Sequence, residues 1–143
     1  MDFDGFSEVT FSPAKGQLPE SGGFVYIFFW VADRVETPIY VGQTNGLAKR
    51  MEDYEQANFA ASTDFRVGEA AKYLRNTRMC RVVVKYKPSK DPPKDEREII
   101  RTLVLEGARL LNCLPSYDYH QADEESEREA VQRFCDMLTG IRR

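Results

Sequence analysis

Short runs of hydrophobic residues separated by polar turns predict three β-strands in this chain. Residues 24–31 are apolar on both faces and rich in aromatic and β-branched side chains, which is typical of a central strand. After a polar loop, residues 38–43 form a second run, and we expect the two runs to pair as a hairpin. Residues 79–87 alternate, with Val82 and Val84 on one face, which predicts a third strand.

Apolar residues at intervals of three and four predict the helices. Leu47, Met51 and Tyr54 share one side of the first helix. The longest helix is opened by Pro92-Pro93, where a missing N–H is harmless, and is ended by Pro115. The predicted helices cover residues 47–57, about 67–74, 94–112 and a C-terminal stretch that begins at Asp123. The last helix has an apolar stripe that docks on the core or on a partner: Val131, Phe134, Leu138 and Ile141.

These elements fit one small domain. The chain has 143 residues, of which 42% are hydrophobic, and this is enough for a real core. The longest apolar run, residues 24–32, is about half of the ~20 residues that cross a bilayer. The acidic first residues lack the basic region of a signal peptide. We therefore expect a cytoplasmic protein without a membrane segment, and we interpret its three widely spaced cysteines as reduced thiols.

The charges are distributed unevenly along the chain. The formal net charge is −3, yet residues 65–90 contain eight basic residues and one acidic residue. Such a segment attracts polyanions locally even on an acidic protein, although basic clusters also serve solubility alone. Both interpretations stay open on charge alone. The candidate nucleic-acid-binding residues are Arg66, Lys72, Arg75, Arg78, Arg81, Lys85 and Lys87, and Lys90 closes the segment.

One glutamate lies at an unexpected place in the longest predicted helix. At about 100° per residue, Glu106 falls at the edge of the apolar side that Ile99, Leu103 and Leu110 form. Burial beside apolar neighbours penalises a carboxylate, so Glu106 requires a cation there. An arginine in a boundary salt bridge and a metal ion both meet that requirement.

The motifs around these elements resemble the GIY-YIG nuclease superfamily. Tyr26 ends the string Phe24-Val25-Tyr26, and Gly42 ends the string Tyr40-Val41-Gly42. Arg50 follows eight residues after Gly42, and Tyr54 one helical turn later. Downstream, Glu106 leads to Pro115-Ser116-Tyr117-Asp118, which resembles the glutamate helix of the family and the turn after it. The resemblance spans residues 23–118.

The resemblance implies a role for each matching residue. The hydroxyls of Tyr26 and Tyr40 are expected to converge on one groove, where Tyr40 orients and helps to deprotonate the attacking water. Arg50 is expected to hold the scissile phosphate, and Tyr54 to hydrogen-bond a phosphate or the nucleophile. Glu106 is expected to be the only direct protein ligand of one Mg²⁺ or Mn²⁺ ion.

Two further positions support the expected active site, and the sequence departs from the family pattern at three places. Gly42 permits a close approach of backbone or substrate. Asp118 stands where the family has an asparagine that orients the active-site turn; it is either such a support residue or an ordinary turn former. The other departures are Phe24 in place of glycine and Gln43 in place of lysine.

Together these expectations describe an α+β protein with a GIY-YIG-like three-stranded antiparallel sheet flanked by helices. An irregular lead-in over residues 1–22 precedes a nuclease-like domain over residues 23–120, and the extra amphipathic helix lies within residues 121–143. The expected activity is metal-dependent hydrolysis of DNA that leaves 5′-phosphate and 3′-hydroxyl ends. The alternatives are a nucleic-acid-binding or adaptor module that needs a protein partner, and an enzyme that cleaves RNA. Self-association through the C-terminal helix is a further alternative.

Overall fold

The computed structural model describes residues 1–12, 17–76 and 80–140, and it has an α+β architecture. Four antiparallel strands form one sheet, and helices cover both of its faces. The strands are β1 (Ser7–Thr10), β2 (Phe24–Ala32), β3 (Val35–Thr44) and β4 (Cys80–Pro88). The helices are α1 (Leu47–Gln56), α2 (Ser62–Arg75), α3 (Pro92–Leu105) and α4 (Glu124–Thr139), and a short 3-10 helix covers Leu111–Cys113.

The sheet contains one strand more than the sequence pattern predicts. The strand order is β1-β4-β2-β3, and β1 lies within the segment expected to be an irregular lead-in. Ser7 lies opposite Tyr86 and Thr10 opposite Val83. The strand is only four residues long, and it has only one hydrophobic side chain, Val9, so it shows no alternation that a sequence pattern detects.

Strands β2 and β3 form the expected hairpin, but with a much tighter turn than the predicted polar loop. The turn consists of Asp33 and Arg34, whose φ values are 50° and 67°. Two consecutive left-handed residues give the backbone twist that matches antiparallel strands. The pairing therefore continues from Ala32 opposite Val35 to Phe24 opposite Thr44.

A β-bulge in β3 places two consecutive side chains of this strand on the same face of the sheet. Phe28 lies opposite Tyr40, but Phe29 lies opposite Pro38, so Ile39 is the additional residue. As a result Ile39 and Tyr40, although consecutive, both contact the same hydrophobic cluster. Pro38 is tolerated here because β3 is an edge strand, where a missing N–H breaks no ladder bond.

The core consists of two layers, one on each face of the sheet. The first layer contains side chains from α1, α2 and α4 packed on residues such as Tyr26 and Phe28 of β2. The second layer contains Ile99 and Leu103 of α3 packed on Val25 and its neighbours. Strand β2 is thus buried on both faces, which confirms its prediction as a central strand.

Helix α3 ends seven residues earlier than the sequence pattern predicts. Glu106 is the C-terminal capping residue, and Gly107 follows with a φ of 95°. The N–H of Gly107 donates to the carbonyl of Val104, and the N–H of Ala108 donates to the carbonyl of Leu103. This pair of bonds is the Schellman motif, in which a left-handed glycine terminates a helix. Leu110 reaches the second layer from the segment after the helix.

The C-terminal helix docks on the core of its own chain. Val131 and Cys135 of α4 are buried in the first layer, and α4 packs along α2. Asp123 caps the start of the helix by accepting a hydrogen bond of 2.9 Å from the N–H of Ser126. Ile141, the last member of the predicted stripe, lies outside the described residues. Within the described ranges no helix is long and apolar enough to span a bilayer.

Candidate functional site

Three tyrosines from three elements converge in the first layer. Tyr26 comes from β2, Tyr40 from β3 and Tyr54 from α1, and their ring centroids lie 6.0 to 6.5 Å apart. The hydroxyl oxygens of Tyr26 and Tyr54 are 2.6 Å apart in a buried position. Tyr40 is only partly buried, so it is the member of this tyrosine cluster nearest to solvent.

Arg50 lies beside the tyrosine cluster because it is one helical turn before Tyr54 on α1. The centre of its guanidinium group is 4.4 Å from the centroid of the Tyr54 ring. The same group forms an ion pair of 2.7 Å with Asp64 and a longer one of 3.4 Å with Asp53. Burial lowers the pKa of Arg50, but Tyr54, Tyr26 and Asp64 together raise it above the ordinary value, so the cation is retained.

The tyrosine hydroxyls stay protonated at neutral pH. Burial raises the pKa of Tyr26 and of Tyr54 above the ordinary value, and Arg50 lowers both only in part. Burial also raises the pKa of Tyr40; its interaction with Tyr54 lowers it, and the negative charge of Glu96 raises it further. A phenolate at Tyr40 therefore needs an additional positive charge nearby.

Gly42 lies opposite Tyr26 in the hairpin, and the space beside its Cα is filled by that tyrosine. A Cβ atom at position 42 would overlap the ring and the hydroxyl of Tyr26. The glycine is thus required by the packing of the tyrosine cluster itself.

The edge of β3 is covered by an amide side chain that the sequence pattern did not single out. The Nδ2 of Asn112 donates to the carbonyl of Val41 at 2.7 Å, and its Oδ1 accepts from the N–H of Val41 at 2.9 Å. Asn112 thus acts as a one-residue extension of the sheet, next to Tyr40. Its only sequence signal was a polar residue between the apolar Leu111 and Leu114.

Asp118, expected to support the active site, lies in an exposed turn. Its Oδ1 accepts a hydrogen bond of 3.0 Å from the N–H of His120, and its carbonyl accepts from Gln121 and Ala122. These contacts are those of a turn former. The side chain that bonds the backbone of β3 is Asn112.

Glu106, expected to bind the metal, is exposed and is not brought to the tyrosine cluster. Both of its carboxylate oxygens accept hydrogen bonds from the amino group of Met1, at 2.8 and 2.6 Å. The expectation that Glu106 faces an apolar side is wrong, because the helix ends at Leu105 and its periodicity does not continue through residue 106.

Glu96 is the glutamate that α3 directs towards the site. It lies three residues before the buried Ile99, so it shares the inward side of the helix and is itself partly buried. Its charge acts on Tyr40, whose pKa it raises. Burial raises the pKa of Glu96, and Arg97 lowers it. The helix dipole is by itself a sufficient reason for an acidic residue at this position, so the sequence pattern does not reveal its inward direction.

The predicted basic surface does not form one continuous patch. Arg66 is turned inward: it donates to the carbonyls of Leu114 and Pro115 and pairs with Glu127. Lys85 is mostly buried and pairs with Glu8 of β1 and Glu36 of β3. The remaining residues are exposed but lie on two different elements: Lys72 and Arg75 on α2, and Arg81 and Lys87 on β4. Arg78 lies outside the described residues.

A small polar cavity opens beside Tyr40, on the side of the first layer. Its lining includes the hydroxyls of Thr63 and Ser116, the amide of Asn112 and the inward-turned Arg66. The tyrosine cluster, Arg50 and this cavity form the candidate site together with Glu96, whose charge acts on Tyr40.

No family model matches the chain, and no curated protein or solved structure matches it significantly.

Proposed function

We propose that this chain is a metal-dependent endonuclease of the GIY-YIG type, which hydrolyses phosphodiester bonds of DNA. The observation that carries the proposal is the arrangement around Tyr40. Two further phenols pack against it from β2 and α1, a guanidinium group lies over one of those rings, and the charge of a carboxylate of α3 raises the pKa of Tyr40. Hydrolysis of a phosphodiester needs a positioned water, a positive group for the phosphate and a carboxylate for a metal ion. Each of these has a candidate side chain here.

Arg50 is the proposed phosphate ligand. Its guanidinium group retains its charge and presents a planar set of donors that fits phosphate oxygens. The ion pair with Asp64 holds the side chain in place before substrate binds. In the transition state the phosphorus carries additional negative charge, and Arg50 stabilises it more strongly than it stabilises the ground state.

Tyr40 is the proposed residue that positions the water. In the reaction the water oxygen bonds to phosphorus as the bond to the 3′ oxygen breaks, one water proton is released, and the 3′ oxygen takes up a proton. Tyr40 is protonated in the unbound protein, so its hydroxyl first orients the water by a hydrogen bond. When positive charge at the site lowers its pKa, Tyr40 first releases its own proton to solvent, and the phenolate then accepts the proton that the water loses. Tyr26 and Tyr54 hold this arrangement in place.

Glu96 is the proposed metal ligand. Within the described residues no group of three or more His, Cys, Asp or Glu side chains is arranged to hold a metal. A single partly buried carboxylate fits Mg²⁺ or Mn²⁺, because Mg²⁺ keeps several waters and is often held by one carboxylate and substrate phosphates. When bound, the ion lowers the pKa of its water and neutralises phosphate charge.

The test is plasmid nicking with Mg²⁺ or Mn²⁺, with EDTA as a control. We expect metal-dependent nicking by the wild type, a loss of about 100-fold or more in Glu96→Gln, and wild-type rates in the matched variant Glu106→Gln. Both substitutions remove one negative charge from the same helix or its cap. A loss of nicking in Glu106→Gln but not in Glu96→Gln would identify Glu106 as the metal ligand. Equal nicking by all three proteins in EDTA would refute the proposal.

A second candidate is a nucleic-acid-binding module that does not cleave. It is favoured by the complete burial of Tyr26 and Tyr54, whose hydroxyls bond to each other, and by the pairing of Arg50 with two carboxylates. Such a protein would bind DNA in a salt-dependent way and leave the plasmid intact. DNA and RNA of equal length in competition would identify the preferred polymer in either case.

A further inference from the structure

Arg66 connects three parts of the chain beside the candidate site. Its Nη1 donates to the carbonyls of Leu114 and Pro115, and its Nη2 donates to the carboxylate of Glu127 at 3.2 Å. The guanidinium group also lies 5.2 Å from the centroid of the Tyr117 ring. Only 14% of this side chain is exposed. An arginine of α2 thus holds both the segment that precedes α4 and the first turn of α4 itself.

The segment that Arg66 holds forms one wall of the cavity beside Tyr40. We call residues 111–117 the wall segment. It supplies four of the residues that line the cavity: Leu111, Asn112, Leu114 and Ser116. The rest of the lining comes from Tyr40 of β3 and from the first turns of α2. A movement of the wall segment would therefore change the space next to Tyr40.

Two further contacts hold the wall segment near its ends. Close to its start, Asn112 bonds both backbone groups of Val41 in β3. At its end, the hydroxyl of Tyr117 donates to the carbonyl of Phe59 at 2.8 Å, and the two rings stack with their centroids 4.9 Å apart. Arg66 holds the middle of the segment and also reaches α4.

The bonds of Arg66 depend on the shape of its side chain. A guanidinium group presents five N–H donors in a rigid plane, so it can bond carbonyl and carboxylate acceptors in different directions at the same time. A lysine keeps the positive charge but not this fixed geometry. With its donors engaged, Arg66 is better suited to support the cavity than to bind the DNA phosphate that the sequence pattern assigns to it.

We propose that Arg66 is a positioning residue, which holds the wall segment against α2 and so fixes the shape of the cavity that Tyr40 lines. Glu127 acts through Arg66, so helix α4 belongs to the structure that shapes the site. The inference rests on the proposed function, because it concerns the geometry in which that reaction takes place. A residue that acts in this way changes the rate of the reaction more than the affinity for DNA, since small displacements of reacting groups lower the rate strongly.

The test combines hydrogen exchange of the wall segment with the kinetics of plasmid nicking. The variants are Arg66→Lys, Glu127→Ala and the double substitution. The matched control is Glu124→Ala, because Glu124 lies in the same first turn of α4 but pairs with Arg128. We expect amides of residues 111–117 to exchange faster in both single variants and at the wild-type rate in the control. The kcat for nicking should fall about 10-fold or more in both single variants, while KM stays within about 2-fold of the wild type. The double variant should be no slower than the slower single variant, because both residues act through the same contacts.

Three other results would overturn the inference. Tighter DNA binding in EDTA or faster nicking by Glu127→Ala would show that Arg66 is a phosphate ligand that Glu127 restrains. Unchanged exchange in Arg66→Lys would show that these contacts do not hold the wall segment. Equal losses in Glu124→Ala would assign the effect to the stability of α4 and not to Arg66. Thermal melts show whether each variant is folded.

A failure of the proposed function has a different signature. No nicking by the wild type, together with faster exchange in the variants, would reject the nuclease and leave Arg66 a structural contact without a role in a reaction. Nicking by the wild type with unchanged exchange in the variants would keep the nuclease and reject the positioning role.

Discussion

The hydroxyl oxygens of Tyr26 and Tyr54 lie 2.6 Å apart between β2 and α1, and each phenol is the partner of the other inside the core. Both side chains are at most 1% exposed. A buried hydroxyl without a partner is costly, whereas a paired one is tolerated. This bond therefore ties the hairpin and the first helix together inside the core.

The Tyr26 and Tyr54 pair predicts a strong coupling between two substitutions. Tyr54→Phe and Tyr26→Phe each remove one partner of the 2.6 Å hydroxyl contact, and we expect each to lower the free energy of unfolding by about 1–3 kcal/mol. The double variant removes both partners of this contact, so its loss should be smaller than the sum of the single losses. Urea unfolding of the four proteins measures the coupling. Additive losses would show that the hydroxyls do not interact.

The ionisable hydroxyls of the tyrosine cluster and the buried thiol of Cys135 predict a loss of stability at alkaline pH. The pKa of Tyr26, Tyr40 and Tyr54 is raised by burial, and burial raises the pKa of Cys135 to about 12. Above the ordinary pKa of each group the unfolded chain releases a proton that the folded protein keeps, so stability falls as pH rises.

The fall in the free energy of unfolding should begin at a definite pH, and a tyrosine variant provides the control. We expect constant stability from neutral pH to about pH 8.5, then a fall of at most about 1.4 kcal/mol per pH unit for each group that the folded protein keeps protonated. Unfolding midpoints between pH 7 and pH 11, together with tyrosinate absorbance, provide the measurement. The Tyr26→Phe/Tyr54→Phe double variant should show a shallower fall, and an equally steep one would assign the effect to other groups.

The close contact of Gly42 with Tyr26 predicts that a single methyl group disturbs the site. Gly42→Ala forces the Tyr26 ring to move, and we expect a loss of about 1–3 kcal/mol in stability together with a lower rate of DNA nicking. Gly46→Ala is the matched control, because no atom lies within 4 Å of a Cβ placed there. Similar losses at both positions would show that backbone flexibility, and not the tyrosine contact, is responsible.

The hydrogen bonds between Asn112 and the edge of β3 predict that Asn112→Asp lowers stability and that Asp118→Asn does not. Asn112→Asp keeps an acceptor for the N–H of Val41 but places an oxygen against its carbonyl, so we expect a loss of about 1–3 kcal/mol in stability and slower nicking. Asp118→Asn in the exposed turn should stay within about 0.5 kcal/mol of the wild type. Thermal melts and the nicking assay test both, and a greater effect at position 118 would restore its expected role.

Local patterns predicted the parts of the fold whose signals are contained in a few neighbouring residues. The hairpin was identified from two apolar runs, and in the structure the rings of Tyr26, Tyr40 and Tyr54 lie together. Strand β1 was not predicted because four residues are too few to show a hydrophobic alternation. The strand is stabilised by pairing with β4, which is distant in sequence. Nonlocal pairing of this kind leaves no periodic trace in a short segment.

The two glutamates of the α3 region show why the site was harder to predict than the fold. The predicted helix was extended past residue 106 because Leu110 and Leu114 continue its apolar periodicity. Gly107, a typical helix stop signal, was given too little weight. The structure ends the helix at Leu105, which leaves Glu106 exposed. Glu96 is partly buried in the first turns of the helix, where the dipole gives an acidic residue a sufficient reason and so hides its inward direction.

The division of the core into two layers has a consequence for how the protein opens on heating and for when it would lose the proposed nicking activity. The tyrosines and Arg50 belong to the layer with α1, whereas Glu96 belongs to α3, which packs on the opposite face through a few residues such as Ile99 and Leu103. Detachment of α3 alone would leave the tyrosines packed and remove the carboxylate. Elements with few buried contacts open at lower free energies than the whole domain. Thermal inactivation should therefore precede melting, and amides of α3 should exchange with solvent before those of β2.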